Sequence, residues 1–69
     1  MSVHDDDPIE RGQIFRSHSG QDHVRVLEVF LGWDERSMVR VEHRDASISL
    51  WEEKQFRAEH IRTYLVLFP

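Results

Sequence analysis

The run Val24-Arg25-Val26-Leu27-Glu28-Val29-Phe30-Leu31 constrains this chain more than any other stretch. Its apolar side chains recur with a period near two, the spacing of an extended strand with one face buried. A second alternating run, Met38-Val39-Arg40-Val41-Glu42, follows a turn-like Gly32-Trp33-Asp34-Glu35-Arg36-Ser37. Two such runs joined by a short polar segment make a β-hairpin. The hairpin makes the chain mainly β and leaves its chemistry open.

The first run carries a conflict of phase. Val24, Val26 and Phe30 point one way, while Leu27, Val29 and Leu31 point the other. A strand over His23 to Leu31 accommodates both sets in one of two ways. A β-bulge near Val26-Leu27 would turn the later set toward the same core and coil the strand as a small barrel requires. Alternatively both faces are covered, one by the core and one by a partner. The next strand, about residues 37–44, is simpler, with Val39 and Val41 facing in and Arg40, Glu42 and Arg44 facing out. Ahead of the hairpin, Gln13-Ile14-Phe15-Arg16 is a short strand candidate, followed by the polar connection Ser17-His18-Ser19-Gly20-Gln21-Asp22. Behind it, Asp45-Ala46 turns the chain into a strand with Ile48 and Leu50 on one face and Ser47 and Ser49 on the other.

Two readings compete for the rest. Ser49-Leu50-Trp51-Glu52 matches the S-x-x-E capping box, which points to an α+β fold of a three- to four-stranded antiparallel sheet with a C-terminal helix. However, Lys54 and Gln55 interrupt the helical stripe of Trp51, Ala58, Ile61, Leu65 and Phe68. Ile61-Arg62-Thr63-Tyr64-Leu65-Val66-Leu67 is rich in the branched, aromatic and aliphatic residues of strands. The favoured order is five strands, with a helical turn over Glu53 to Glu59 before the last.

That order resembles an SH3-like or Tudor-like small barrel. The residues that carry the resemblance are Gly12-Gln13-x-Phe15, Val24-x-Val26-Leu27, Val39-x-Val41, and Trp51 with Phe56 before the last strand. The pattern is similar to several small bacterial and phage-encoded domains of unknown function. It implies a five-stranded SH3-like barrel over about residues 12–67 and, by analogy to the class, an accessory or mobile-element protein that modulates a host complex. The apolar end Tyr64-Leu65-Val66-Leu67-Phe68 departs from the pattern, as a segment that packs on something else would.

Sixty-nine residues allow one domain, and a domain of this size buries only about 60% of its unfolded surface. With no cysteine there is no disulfide and no Cys-based zinc site to reinforce it. A well-packed core or self-association must supply the stability. No apolar run approaches the roughly 18 residues of a membrane helix. Asp5-Asp6-Asp7 stands where a signal peptide would be positively charged. A soluble, cytoplasmic protein with no membrane partner is expected.

The net charge of −4 is concentrated in Asp5, Asp6, Asp7 and Glu10. Removing those four from the thirteen acidic residues leaves nine, equal to the nine bases, all of which lie in residues 11–69. The expected organisation is a disordered acidic tail over residues 1–10 and a formally neutral domain over residues 11–69. Neutrality disfavours a nonspecific nucleic-acid binder, whose signature is an excess of base.

The five histidines, His4, His18, His23, His43 and His60, contain no i, i+4 pair and no H-x-H arrangement. They do not read as a zinc site, and no metal or cofactor is expected. His43, at the end of an alternating strand, is a candidate pH sensor. Ser17-His18-Ser19 and the pair His43 and Asp45 place hydroxyl, imidazole and carboxylate groups close in sequence, but a triad is a matter of spatial geometry and needs an oxyanion site and a pocket. Small barrels seldom enclose such a pocket, and the three glycines are too scattered to cradle a phosphate. The expectation is a protein that is not an enzyme.

The aromatic residues carry the better lead. Trp33 lies in a turn and Trp51 alternates away from Ile48 and Leu50. Gathered on one side with Tyr64 and Phe68, they would make a partner-binding surface. The competing arrangement has Trp51 capping the open end of a barrel and Trp33 folding back over the sheet. Arg16, Arg25 and Arg40 lie on strands and would suit a face that stacks single-stranded bases. Asp22, Glu28 and Glu42 are equally placed to neutralise them across strands. A protein-protein interaction module, bound to a protein partner or to itself, is therefore expected first, and a nucleic-acid-binding barrel second.

Overall fold

The computed structural model describes residues 8–63. The elements are β1 (Ile14–Ser17), β2 (His23–Leu31), β3 (Ser37–His43), β4 (Ile48–Glu52), α1 (Glu53–Glu59) and β5 (His60–Thr63). The fold is mainly β, with five antiparallel strands in one sheet of order β4-β3-β2-β1-β5 and one short helix before the last strand. Among the described residues β5 is a strand, which sets aside the C-terminal helix. The expected strand beyond Thr63, with Tyr64 and Phe68, lies outside the described residues.

The sheet does not close into a barrel, because β4 and β5 are its two edges and do not pair with one another. Phe56 of α1 fills the space that closure would have bridged. Its ring is fully buried and meets Phe15 of β1 at 4.9 Å, Trp51 of β4 at 6.0 Å and His60 of β5 at 4.4 Å. Around it the core consists of Ile9, Phe15, Val24, Val26, Val39 and Val41.

Ile9 stands in the stretch assigned to the acidic tail, yet it is buried. The packed chain therefore begins ahead of residue 11. The cause is two backbone hydrogen bonds, from Gly12 N–H to the Val26 carbonyl at 2.8 Å and from Val26 N–H to the Gln13 carbonyl at 2.9 Å. They lay the segment before β1 along β2.

The conflict of phase in β2 is relieved by a bulge. The β2–β3 register shifts between Val26 and Glu28, so that Val26 opposes Val41 and Val29 opposes Val39. Leu27 is the extra residue, and Val24, Val26 and Val29 come to share one face.

The two hairpins on β3 are built alike. In the first, Glu35 N–H donates to the Gly32 carbonyl at 2.9 Å and Gly32 N–H to the Arg36 carbonyl at 2.7 Å. In the second, Ala46 N–H donates to His43 at 2.9 Å and His43 N–H to Ser47 at 2.8 Å. Each is a three-residue loop ending in a left-handed residue, Glu35 at φ 67° and Ala46 at φ 73°.

The S-x-x-E motif does not cap α1. Ser49 lies within β4, and Glu52 takes the N-cap position without a side-chain hydrogen bond to the helix backbone. The first turn is instead held by Glu53, whose carboxylate accepts from Ser37 Oγ and pairs with Arg57 at 2.8 Å. The Ser37 hydrogen bond, followed by Arg57, keeps the Glu53 carboxyl below its ordinary range against the opposing effect of burial.

Candidate interaction surface

The second hairpin decides which side chains of β4 face solvent. Its loop sets Val41 opposite Ser49 and Val39 opposite Trp51. Directly opposed residues share a face of the sheet, so Ser49 and Trp51 look toward the core with Val39 and Val41. Ile48 and Leu50 take the other face, opposite Glu42 and Arg40, and are 54% and 56% exposed. The apolar pair that would ordinarily be assigned to the interior is thus placed outside by the register of the turn.

That outer face carries further apolar surface. Phe30 of β2 opposes Met38 of β3, and Met38 opposes Glu52 of β4. Trp33, in the loop of the first hairpin, is completely exposed, and Leu31, in the phase of Val39 by its pairing with Ser37, is exposed at the end of β2. Phe30, Leu31, Trp33, Met38 and Leu50 line an open groove of about 390 Å³. Asp34, Arg36 and Glu52 form its polar rim, with the Arg36 guanidinium 3.0 Å from Asp34 and 3.4 Å from Glu52. A wider depression of about 620 Å³ lies beside the bulge, between Ile9, Arg11, Leu27, Val29 and Arg40.

Trp33 and Trp51 do not gather on one side. Trp33 lines the outer groove, whereas Trp51 packs against the core, edge-on to Phe56 and to His60 at 4.9 Å. The reason is again the register, which puts Trp51 in phase with Val39. Its buried Nε1–H has no hydrogen-bond partner among the described residues. Tyr64 and Phe68 lie outside the described residues.

Arg16, Arg25 and Arg40 do share the outer face, since Ile14 opposes Arg25, Arg25 opposes Glu42 and Glu28 opposes Arg40. Two of them are neutralised there: Arg25 sits 3.2 Å from Glu42 and Arg40 sits 3.0 Å from Glu28. Arg40 also lies over the Phe30 ring at 5.5 Å. The balance of charge read from the sequence is realised pair by pair across the strands.

The polar end of the core face holds an arrangement that sequence adjacency did not reveal. His43 Nδ1 lies 3.3 and 3.4 Å from the two oxygens of Asp22, and His43 Nε2 lies 2.6 Å from Ser49 Oγ. The carboxylate is Asp22 on the preceding turn rather than Asp45, whose oxygen accepts from Ser47 N–H and Oγ. Catalysis by such a chain would need donors for an oxyanion and a cleft for a substrate, and neither groove described above includes any of its three residues. It ties the turn before β2 to the end of β3 and the start of β4. Beside it His60 is buried, stacks on Phe56 and donates from Nδ1 to the Phe56 carbonyl at 3.1 Å. Burial holds His60 below its ordinary pKa, against the raising effects of that carbonyl, Asp22 and Glu59; His43 lowers it further. Among the described residues no three His, Asp or Glu side chains converge as metal ligands.

Ile48, Leu50, Met38 and Phe30 were not singled out from the sequence as surface residues. The available signal was the Asp45-Ala46 turn: a three-residue loop there places Ser49, not Ile48 or Leu50, in phase with Val41. No described helix is long and apolar enough to cross a membrane. Comparison with protein-family models, with curated proteins and with solved structures finds no match.

Proposed function

We propose that this chain is a non-enzymatic protein-protein interaction module with an SH3-like arrangement, working in the cytoplasm as an accessory that docks onto a larger complex. The observation that carries the reading is the outer face of β4 beside the first hairpin, where Ile48, Leu50 and Trp33 are exposed and Leu31, exposed at the end of β2, adds to the groove. Surface Trp is enriched at binding hot spots, and a contiguous apolar patch with a polar rim marks an interaction site. The strand order and the helical turn before β5 support the SH3-like resemblance.

The test is capture of a partner by the tagged protein from its source lysate, in the presence of nuclease, alongside Trp33→Ala and Leu50→Asp variants. The reading expects a stoichiometric protein partner that survives nuclease and is lost by both variants while their circular dichroism stays unchanged. A partner lost on nuclease treatment and retained by both variants would overturn it in favour of Arg16, Arg25 and Arg40 as a nucleic-acid face. That outcome must be accompanied by a steep decline of affinity with salt.

A further inference from the structure

The β4 strand is an edge as well as a face. Among the described residues it pairs only with β3. The hydrogen bonds of the second hairpin fix which of its backbone groups are committed. His43 donates to Ser47 across the ladder, and hydrogen-bonded pairs alternate along an antiparallel ladder. The committed pairs are therefore Val41 with Ser49 and Val39 with Trp51. The N–H and C=O groups of Ile48 and Leu50 point away from β3, along an edge whose side chains are also exposed. A free, apolar edge is a template for another strand.

We propose that β4 takes up an extended segment of a partner protein as a sixth strand, and that this segment sets apolar residues opposite Ile48 and Leu50 and, in the same phase, a basic residue opposite Glu52. The inference rests on the interaction-module reading and names its mode and its ligand. An added strand lies about 4.8 Å beyond β4 and alternates its side chains between the two faces. Its apolar set continues the surface of Ile48 and Leu50 and reaches the groove at Trp33 and Met38. The charge of the rim selects the rest. Asp34 and Glu52 share the single guanidinium of Arg36, and Glu35 adds a further exposed carboxylate on the same turn. Acids outnumber bases there three to one, which favours Lys or Arg in the incoming strand. A second copy of this chain would bring the same acidic excess to meet itself.

The test uses the whole protein, nitrogen-15 labelled, titrated with the acetylated, amidated heptapeptide Lys-Thr-Val-Thr-Val-Thr-Lys, whose Val and Lys residues share one face. The analogue with Glu at both ends and a version N-methylated at alternate residues serve as controls. Strand addition slows exchange of the Ile48 and Leu50 amides by roughly tenfold or more at saturation, while Ser49 and Trp51, already in the ladder, change little. The acidic and N-methylated peptides leave all four unchanged. Leu50→Pro removes an edge donor that the β3–β4 ladder does not use, so it abolishes the protection. The N-methylated peptide makes the same test without altering the protein. Binding that shifts Trp33 without protecting Ile48 and Leu50 overturns strand addition and leaves the interaction reading standing. Protection of those two amides that grows with protein concentration in the absence of peptide assigns the edge to a second copy and overturns the basic partner. Failure of every peptide, with the lysate partner still lost on Trp33→Ala, overturns this inference alone.

Discussion

The two tryptophans should respond oppositely to truncation. Trp33 is fully exposed, and surface changes of this kind stay within about 0.5 kcal/mol. Trp51 is edge-on to both Phe56 and His60 and packs on the core. Complete truncation of a buried aromatic costs about 3–5 kcal/mol, and because Trp51 is only half-buried the packing loss is taken at about 3. Against this, Trp51→Ala also removes a buried Nε1–H that has no partner among the described residues, a relief of about 1 kcal/mol at the low end of the desolvation range. The net loss is about 2 kcal/mol. A chain of this length is stabilised by about 3–10 kcal/mol in total, so the change is a large fraction. At 4–8 °C per kcal/mol for domains of this size, the melting temperature falls by about 8–16 °C. Trp51→Phe keeps the ring contact and deletes the unpartnered donor, so it should fall within about 1 kcal/mol of the parent. The assay is urea unfolding followed by far-ultraviolet circular dichroism, because fluorescence would be altered by the substitutions themselves. If Trp33→Ala is as damaging as Trp51→Ala, the assignment of the two residues to opposite faces is wrong. If Trp51→Ala is neutral, the aromatic packing around Phe56 is not what holds β4 to the core.

Ala46 occupies a left-handed conformation with nothing but a methyl group to lose, so Ala46→Gly should stabilise the domain by about 0.5–1 kcal/mol, the steric relief exceeding the extra chain entropy; a lowered midpoint in the same urea titration would refute the loop geometry. His60 is held neutral by burial, so the unfolded chain takes up its proton first as pH falls. Stability is complete above the ordinary histidine value of 6.5 and declines below it. His60→Gln should flatten the stability profile in that window, which lies above the region where Glu53 is protonated; an unchanged slope would contradict the burial. A fluorophosphonate probe should leave Ser49 unlabelled, as mass spectrometry of the treated protein would show; labelling that disappears in His43→Gln would make Asp22, His43 and Ser49 a working triad and end the non-enzymatic reading.

Most of the architecture is legible in the sequence, for identifiable reasons. The conflict of phase at Val26-Leu27 can be satisfied by a single extra residue, and the register shift between Val26 and Glu28 is that residue. Lys54 and Gln55 break a helical stripe early, and α1 ends at Glu59. Closure was not legible, because it depends on how far Phe56 reaches between Phe15, Trp51 and His60. No pattern of apolar positions encodes that distance. The partnership of Asp22 with His43 was hidden for a related reason: the two are brought together by the β2–β3 register, 21 positions apart, while Asp45 is nearer in sequence and is occupied by Ser47.

The candidate site was misread at one point, and that point carries its meaning. β4 has apolar residues in both phases, Ile48 and Leu50 in one and Trp51 in the other. Only one phase can face the core. Turning Ile48 and Leu50 inward would also turn Glu52 inward and expose the Trp51 ring, separating it from Phe56 at the start of the helix that follows directly. Burying an unpaired carboxylate opposes that slip by more than two aliphatic side chains favour it. The turn at Ala46 and the helix beginning at Glu53 therefore agree on Trp51, and the second apolar phase is left on the surface, beside Met38 and Phe30. An exposed edge with such side chains invites unwanted pairing unless something covers it. The acidic residues at Asp34, Glu35 and Glu52 restrict what can do so. The same local chemistry that decides which way β4 faces thus leaves an apolar strand edge and the charges that select its partner.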